Sequence, residues 1–280
     1  MPVITLTTDW NKNDHYCGAV KGKIISLYPN ATIVDISHRV ETFNIAQAAF
    51  ILKNSYRHFP GGSVHTVWVN SENSENGRFL AALYEGHFFI AADNGLFGLL
   101  FKKEAEKIVN LNSAKGEKND AGKTGLTEET TGKKGEGCSF AAFSVFCYAA
   151  CHLASGKDMS ELGEGVTSCS KSTPRRATID EDVITGSVIY IDSYQNAITN
   201  ITRDLFERVG RGRSFEILVQ SNHYRITRLN ETYGETSPGE MLALFNSLDL
   251  LEVAINKGNI AQLLNLDTNS NVRVKFRGKK

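Results

Sequence analysis

The sequence predicts an α/β domain with a largely parallel central sheet, followed by a smaller all-β domain. Two observations carry that expectation. From Val3 to about Phe101, apolar strand-like runs alternate with helix-like ones, and strands separated by helices imply a parallel sheet whose binding edge lies at the strand C-termini. Beyond Pro174 only short β segments remain, the pattern of a compact antiparallel barrel or sandwich. A chain of 280 residues accommodates both, and the boundary falls between residues 173 and 174.

In chain order, "VITLTT" reads as a strand ending at Asp9, and a helix from about Asp14 to Leu27 follows. "TIVDIS" is a second strand and "NIAQAAFILKNSYRHF" an amphipathic helix. "GSVHTVWV" runs into the polar loop "NSENSENGR". "FLAALYEGHFFIAADNGLFGLLF" then gives two strands, a turn at Asp93 to Gly95 and a short helix. Residues 112–137 hold one aliphatic side chain larger than Ala and balanced charge, which predicts a flexible insertion. Its "AGKTG" shares the tail of a phosphate-binding loop. Glu117 stands where that loop requires Gly, however, and no strand leads in, so nucleoside triphosphate binding is excluded. "FAAFSVFCYAACHLASG" is a buried helix closing the first domain. The later β segments include "VITGSVIYIDSYQNAITNI", "SFEILVQ", "EMLALFNSLDLLEVAIN" and "NVRVKF".

Composition narrows the partners. Lys and Arg number 31 against 31 Asp and Glu, so no global field holds nucleic acid or an anionic membrane, and a small molecule is the expected partner. No apolar run approaches the ~20 residues of a membrane span, and the N-terminus lacks signal-peptide character, so a cytoplasmic protein is expected. The five cysteines form no CxxC pair, which argues against a disulfide framework or a thiolate zinc site. Cys147, Cys151 and His152 share a helical face, but their apolar neighbours point to core packing.

Asp9, Asp14, Asp35 and His38 cluster at neighbouring strand ends, a set that a metal-dependent phosphoesterase would need. The same residues have plainer roles: Asp14 as a helix cap, Asp35 and His38 as partners of backbone groups. No second cluster supplies further ligands, and no cofactor is expected.

"TTDWNKNDHYCGAVKG", "IVDISHRVETFNIAQAAFIL", "HFPGGSVHTVWV", "ADNGLF", "HLASG", "VIYIDSYQNAITNI" and "NSLDLLEVAINKGN" resemble, in order, the successive signatures of the S-adenosylmethionine hydroxide adenosyltransferases, relatives of fluorinase and chlorinase. The resemblance spans nearly the whole chain and fails mainly in the insertion. It implies an α/β N-terminal domain, a C-terminal β-barrel, and a homotrimer holding S-adenosylmethionine between the N-terminal domain of one subunit and the C-terminal domain of the next. It also implies displacement at the ribose C5′, by water or halide. By resemblance Asp9 accepts from the ribose hydroxyls, Asp14 and Asp192 accept from the ammonium, and Tyr16 stands near a hydroxyl donor position. Asn196 contacts adenine, with Phe43 and Tyr194 as flanking rings. Asn73, Phe140 and Asn246 complete the implied substrate-binding set.

The pattern breaks at the reacting end. The family's hydrolytic Asp falls on Asn70, its Arg on or next to Arg78, and its His on Ala141. An amide is no base near neutral pH and a methyl group cannot orient water. Fluorinase's halide-pocket Ser falls on Ala142, and its carboxylate-gripping Arg on Leu248. The loop keeps Arg78 and gains Glu72 and Glu75, so Arg78, Asn70 and Glu72 are the candidates for handling water. The expected activity is S-adenosylmethionine hydrolysis to adenosine and methionine, weak or altered. The alternatives are a non-catalytic S-adenosylmethionine or adenosine binder, and the phosphoesterase.

Overall fold

The computed structural model describes residues 2–11, 13–72, 77–111 and 142–278. The predicted 112–137 insertion, and with it Asn73, Glu75, Phe140 and Ala141, lies outside the described residues. The chain divides into two compact units, Met1–Pro174 and Arg175–Lys280.

The first unit is built on a mixed sheet of strands β1 (Val3–Thr8), β2 (Thr32–Ser37), β3 (Val64–Trp68), β4 (Phe79–Tyr84), β5 (His87–Ala92), β6 (Lys107–Asn110) and β7 (Glu164–Gly165), in the order β2-β1-β3-β5-β4-β6-β7. Strands β2, β1, β3 and β5 run parallel; β4, β6 and β7 pair antiparallel. The reversal at β4 has a local cause. Glu85 and Gly86 both take positive φ, 49° and 73°, the geometry of a tight two-residue hairpin.

Helices α1 (His15–Leu27) and α4 (Ala142–Ala154) pack on one face of the sheet, where Val20, Ile24 and Phe146 meet Ile4, Leu6 and Trp68. Helices α2 (Ile45–Lys53) and α3 (Leu96–Leu100) pack on the other, against Val67, Leu80 and Phe89. Alternation along β3 sends Val67 and Trp68 to opposite cores. Helix α2 ends at Lys53, short of the predicted run to Phe59. There the side chains of Asn54 and Ser55 turn back to the carbonyls of Phe50 and Ile51, and only a single 3-10 turn, Tyr56–His58, follows. The Cys147 and Cys151 thiols face the α1 carbonyls of Val20 and Ile24, and burial pushes them up to about 12 and about 11. They are core thiols, as their apolar neighbours predicted.

A buried polar string crosses this sheet below the strand ends. His65 shares hydrogen bonds with Thr5 Oγ1 (2.8 Å) and His87 Nδ1 (3.2 Å), so β1, β3 and β5 are linked by side chains. Burial, with His87 adding to it, brings the His65 pKa down to about 3. The folded state therefore excludes a proton that the unfolded chain takes up below about pH 6.5. Stability is complete above that pH and falls as the pH drops toward 3. Between pH 6.5 and 5, before carboxylates titrate, the unfolding free energy should fall by about 2 kcal/mol, read from urea denaturation midpoints. A His65→Gln variant should show a flatter profile over the same window.

The second unit contains β8 (Thr178–Asp180), β9 (Val183–Ile191), β10 (Ala197–Thr202), β11 (Phe215–Val219), β12 (Arg225–Ile226), β13 (Met241–Phe245), β14 (Leu250–Ile255) and β15 (Asn271–Phe276). All pairings are antiparallel along β12-β11-β15-β9-β10-β14-β13, with β8 on β9, and β12 and β13 come together to form a nearly closed barrel. Helix α5 (Arg203–Gly210) seals its core: the Phe206 ring meets Phe215, Phe245 and Phe276 edge-on at 5.0, 5.4 and 5.1 Å. A short helix, α6 (Ile260–Leu263), adds Ile260 and Ala261 to that core. No helix among the described residues is long and apolar enough to cross a membrane.

Candidate functional site

Because β2, β1, β3 and β5 are parallel, their C-terminal ends share one edge, and His38, Asp9, Asn70 and Asp93 all follow there. Asp9 organises it. Its Oδ2 accepts from the backbone N–H of Phe43 (2.9 Å) and of Asn70 (3.2 Å). Both residues are left-handed, at φ 65° and 50°, so the carboxylate holds two strained loops together. Asp9 Oδ1 takes no hydrogen bond among the described residues, leaving an acceptor on the half-buried edge. Phe43 is 69% exposed and offers its ring to solvent.

Asn70 contributes backbone rather than side chain. Its N–H goes to Asp9, and its carbonyl accepts from Asn94 Nδ2 at 3.1 Å. Asn94 lies in the predicted turn, where Gly95 has φ 94° and a Cβ would stand 2.2 Å from Ser172 Oγ. Only Gly fits there.

Arg78 pairs through Nη2 with Asp93 Oδ2, while Asp93 Oδ1 accepts from the Ser170 N–H at 2.7 Å. The Asp93 side chain is 1% exposed. Arg78 is thus committed to a strut between strand ends. Glu72 is exposed at the loop's start.

Asp14 occupies the N-cap position of α1, yet its carboxylate turns back to accept from the Asn11 N–H at 3.1 Å. The Tyr16 ring lies tilted against those of His15 and Trp10, with ring centroids 4.3 and 5.6 Å away. Asp35 and His38 bond to side chains rather than to backbone. Asp35 takes Lys21 at 2.6 Å and stands 3.1 Å from His38 Nε2, and His38 Nδ1 meets Thr8 Oγ1 (3.0 Å) and Cys17 Sγ (3.4 Å). Burial opposes the Asp35 charge, but the Lys21 and His38 bonds outweigh it and lower its pKa. Among the described residues no group of three His, Cys, Asp or Glu side chains could hold a metal ion, so the phosphoesterase set does not assemble there.

In the second unit, Asp192 closes the turn from β9 to β10. Its Oδ1 accepts from the N–H groups of Tyr194 (2.9 Å) and Asn196 (2.8 Å), and its Oδ2 from Asn196 Nδ2 (3.2 Å). The turn exposes the Tyr194 ring (79%) and buries Asn196 (6%). Asn246 Oδ1 accepts from the N–H groups of Leu248 (3.0 Å) and Leu250 (3.3 Å), fixing the turn between β13 and β14, in which Leu248 is 39% exposed.

Sequence reading did not single out Glu252 or Tyr233. Glu252 is buried in β14, and its oxygens accept from Tyr233 OH (2.5 Å) and Asn246 Nδ2 (3.1 Å). Burial and that bond push the Tyr233 hydroxyl pKa up, and the charges of Glu252 and Asp192 add to the effect. One acid inside "LLEVAI" was the available signal. Asp93 and Asn94 were legible as a turn but not as anchors of the Asp9 edge.

Comparison with known proteins agrees across both units. Residues 4–163 match the model of the SAM hydroxide adenosyltransferase N-terminal domain and residues 186–273 that of its C-terminal domain. The chain is 26% identical to an (R)-S-adenosyl-L-methionine hydrolase of Methanocaldococcus jannaschii, covering 95% of this chain and 93% of that one. It is 27% identical to a hydrolase of the same name from Thermus thermophilus, over 98% and 100% of the two chains. A fluorinase of Actinopolyspora mzabensis is 22% identical over 98% and 97%. In fold it is similar to an uncharacterized conserved protein from Thermotoga maritima, with a TM-score of 0.81, 24% identity and coverage of 98% and 100%.

Proposed function

Since the chain belongs to the SAM hydroxide adenosyltransferase family, with both domain models matched, we propose that it binds S-adenosylmethionine and hydrolyses it to adenosine and methionine. The observation that carries this reading is Asp9, with one oxygen fixed by two backbone donors and the other left as an acceptor at the strand edge. Such an acceptor suits a ribose diol. In this reading Asp14, Tyr16, Phe43, Asp192, Tyr194, Asn196 and Asn246 serve the same ligand, in the homotrimer that the family resemblance implies. No metal or cofactor takes part.

The reaction is a displacement at C5′. Water oxygen forms a bond to that carbon, the C5′–sulfur bond breaks, and its electron pair neutralises the sulfonium as methionine leaves. The leaving group needs no acid, so the protein's task is alignment and exclusion of bulk water. The attacking water must lose a proton; Asn70 cannot take it, so it passes to solvent. Turnover is therefore slow. That same residue favours a second reading, a binder of S-adenosylmethionine or adenosine without turnover.

Adenosine release followed by chromatography, together with calorimetry, separates the two. Product above the no-enzyme background supports the hydrolase; tight binding without product supports the binder. Asn70→Asp adds the carboxylate with no change of backbone, since Asp tolerates the left-handed region as Asn does. It should raise turnover by about a hundred-fold, the low end for a positioned base. An unchanged rate would count against Asn70 as the limiting residue.

A further inference from the structure

Glu252 sits in the middle of β14 with Ile198 of β10 and Leu244 of β13 beside it in register, and it is 3% exposed. Among the described residues no Lys, Arg or His lies within ion-pair distance of it. A buried carboxylate flanked by aliphatic side chains and held by two neutral donors is a poor way to stabilise a sheet, because an apolar residue would fill the row at less desolvation cost. The geometry shows what the charge does instead. An ionised carboxylate accepts on both oxygens, so it compels Asn246 to aim its NH2 inward and its carbonyl outward onto the Leu248 and Leu250 N–H groups. It compels Tyr233 to donate as well. The field of Asp192 reaches the same Tyr233 hydroxyl. Glu252 therefore sets the polarity of the 246–250 turn and of the Tyr233 phenol.

We propose that Glu252 is a positioning residue for ligand binding by the second unit, acting through the Asn246 amide and the Tyr233 hydroxyl. The proposal rests on the reading of Asp192, Asn196 and Asn246 as contacts for an adenosyl ligand.

Three variants test it, with Kd for adenosine and for S-adenosylmethionine measured by calorimetry and Tm recorded for each. Glu252→Leu suits its aliphatic neighbours, so Tm should hold or rise, while freeing the Asn246 amide should weaken S-adenosylmethionine binding by about ten-fold or more. Glu252→Gln should bind within about three-fold of wild type: its carbonyl accepts from Asn246, and its NH2 donates to a Tyr233 hydroxyl that rotates to accept. Adding Tyr233→Phe to Glu252→Gln removes that acceptor and should bring the defect back. A Glu252→Leu protein with lowered Tm and unchanged Kd would make Glu252 purely structural and overturn the proposal. If the wild-type protein binds neither ligand, the adenosyl reading itself fails, an outcome distinct from the first.

Discussion

Asp9→Asn should weaken ligand binding by about a hundred-fold while leaving the protein folded. The Asn oxygen can take the place of Oδ2 and keep the Phe43 and Asn70 N–H bonds, so both left-handed residues stay held. The NH2 then stands where Oδ1 stood, and an acceptor at the strand edge becomes a donor facing the hydroxyls of a ribose. Two hydrogen bonds to a charged acceptor are lost, together worth about 3 kcal/mol or more, or two powers of ten in Kd. Tm should stay within about 2 °C of wild type. Calorimetry with adenosine checks the first expectation and a thermal scan the second. Asp9→Ala loses both loop anchors and should lower Tm as well. Adenosine affinity within three-fold of wild type in Asp9→Asn would remove Asp9 from the binding site.

The largest stability effect is expected at Asp93. Its carboxylate is nearly inaccessible, and Arg78 opposite is 28% exposed. In Asp93→Asn one amide atom can still accept from the Ser170 N–H, but the other presents hydrogens to the guanidinium. An uncompensated charge in such a place costs about 3–5 kcal/mol, and the partial hydration of Arg78 argues for the lower end. For a unit of this size that is a fall in Tm of about 6–12 °C. Arg78→Met should lose more, since it leaves the more deeply buried partner unpaired. A change below about 2 °C in either variant would mean that the pair is not the strut the structure implies.

The architecture was legible because it rests on repetition. The apolar runs of β1 and β3, buried on both faces, the amphipathic α2 and the change of pattern after Pro174 each follow from burial, and the structure carries all four. The antiparallel half of the first sheet was less legible, since two residues at the β4–β5 turn decide strand direction and nothing in the apolar pattern records it. The strand-end acids were legible as a group, but their partners were not. Asp35 meets Lys21 from a helix fourteen residues earlier, and Asp93 meets Arg78 from across a hairpin. Such pairings depend on three-dimensional proximity, which no local spacing encodes. Glu252 shows the converse: an acid inside an apolar strand breaks the local rule, and such breaks mark residues kept for something other than packing.

Among the described residues, the scaffold engages position 70 only through main-chain atoms, with the N–H on Asp9 and the carbonyl on Asn94. The side chain has no architectural duty, so evolution can exchange Asp for Asn by a single codon transition without reworking the fold around it. On the reading proposed above, a lineage carrying this framework can gain or lose the carboxylate at the reacting end in one mutational step, and retrace it as readily.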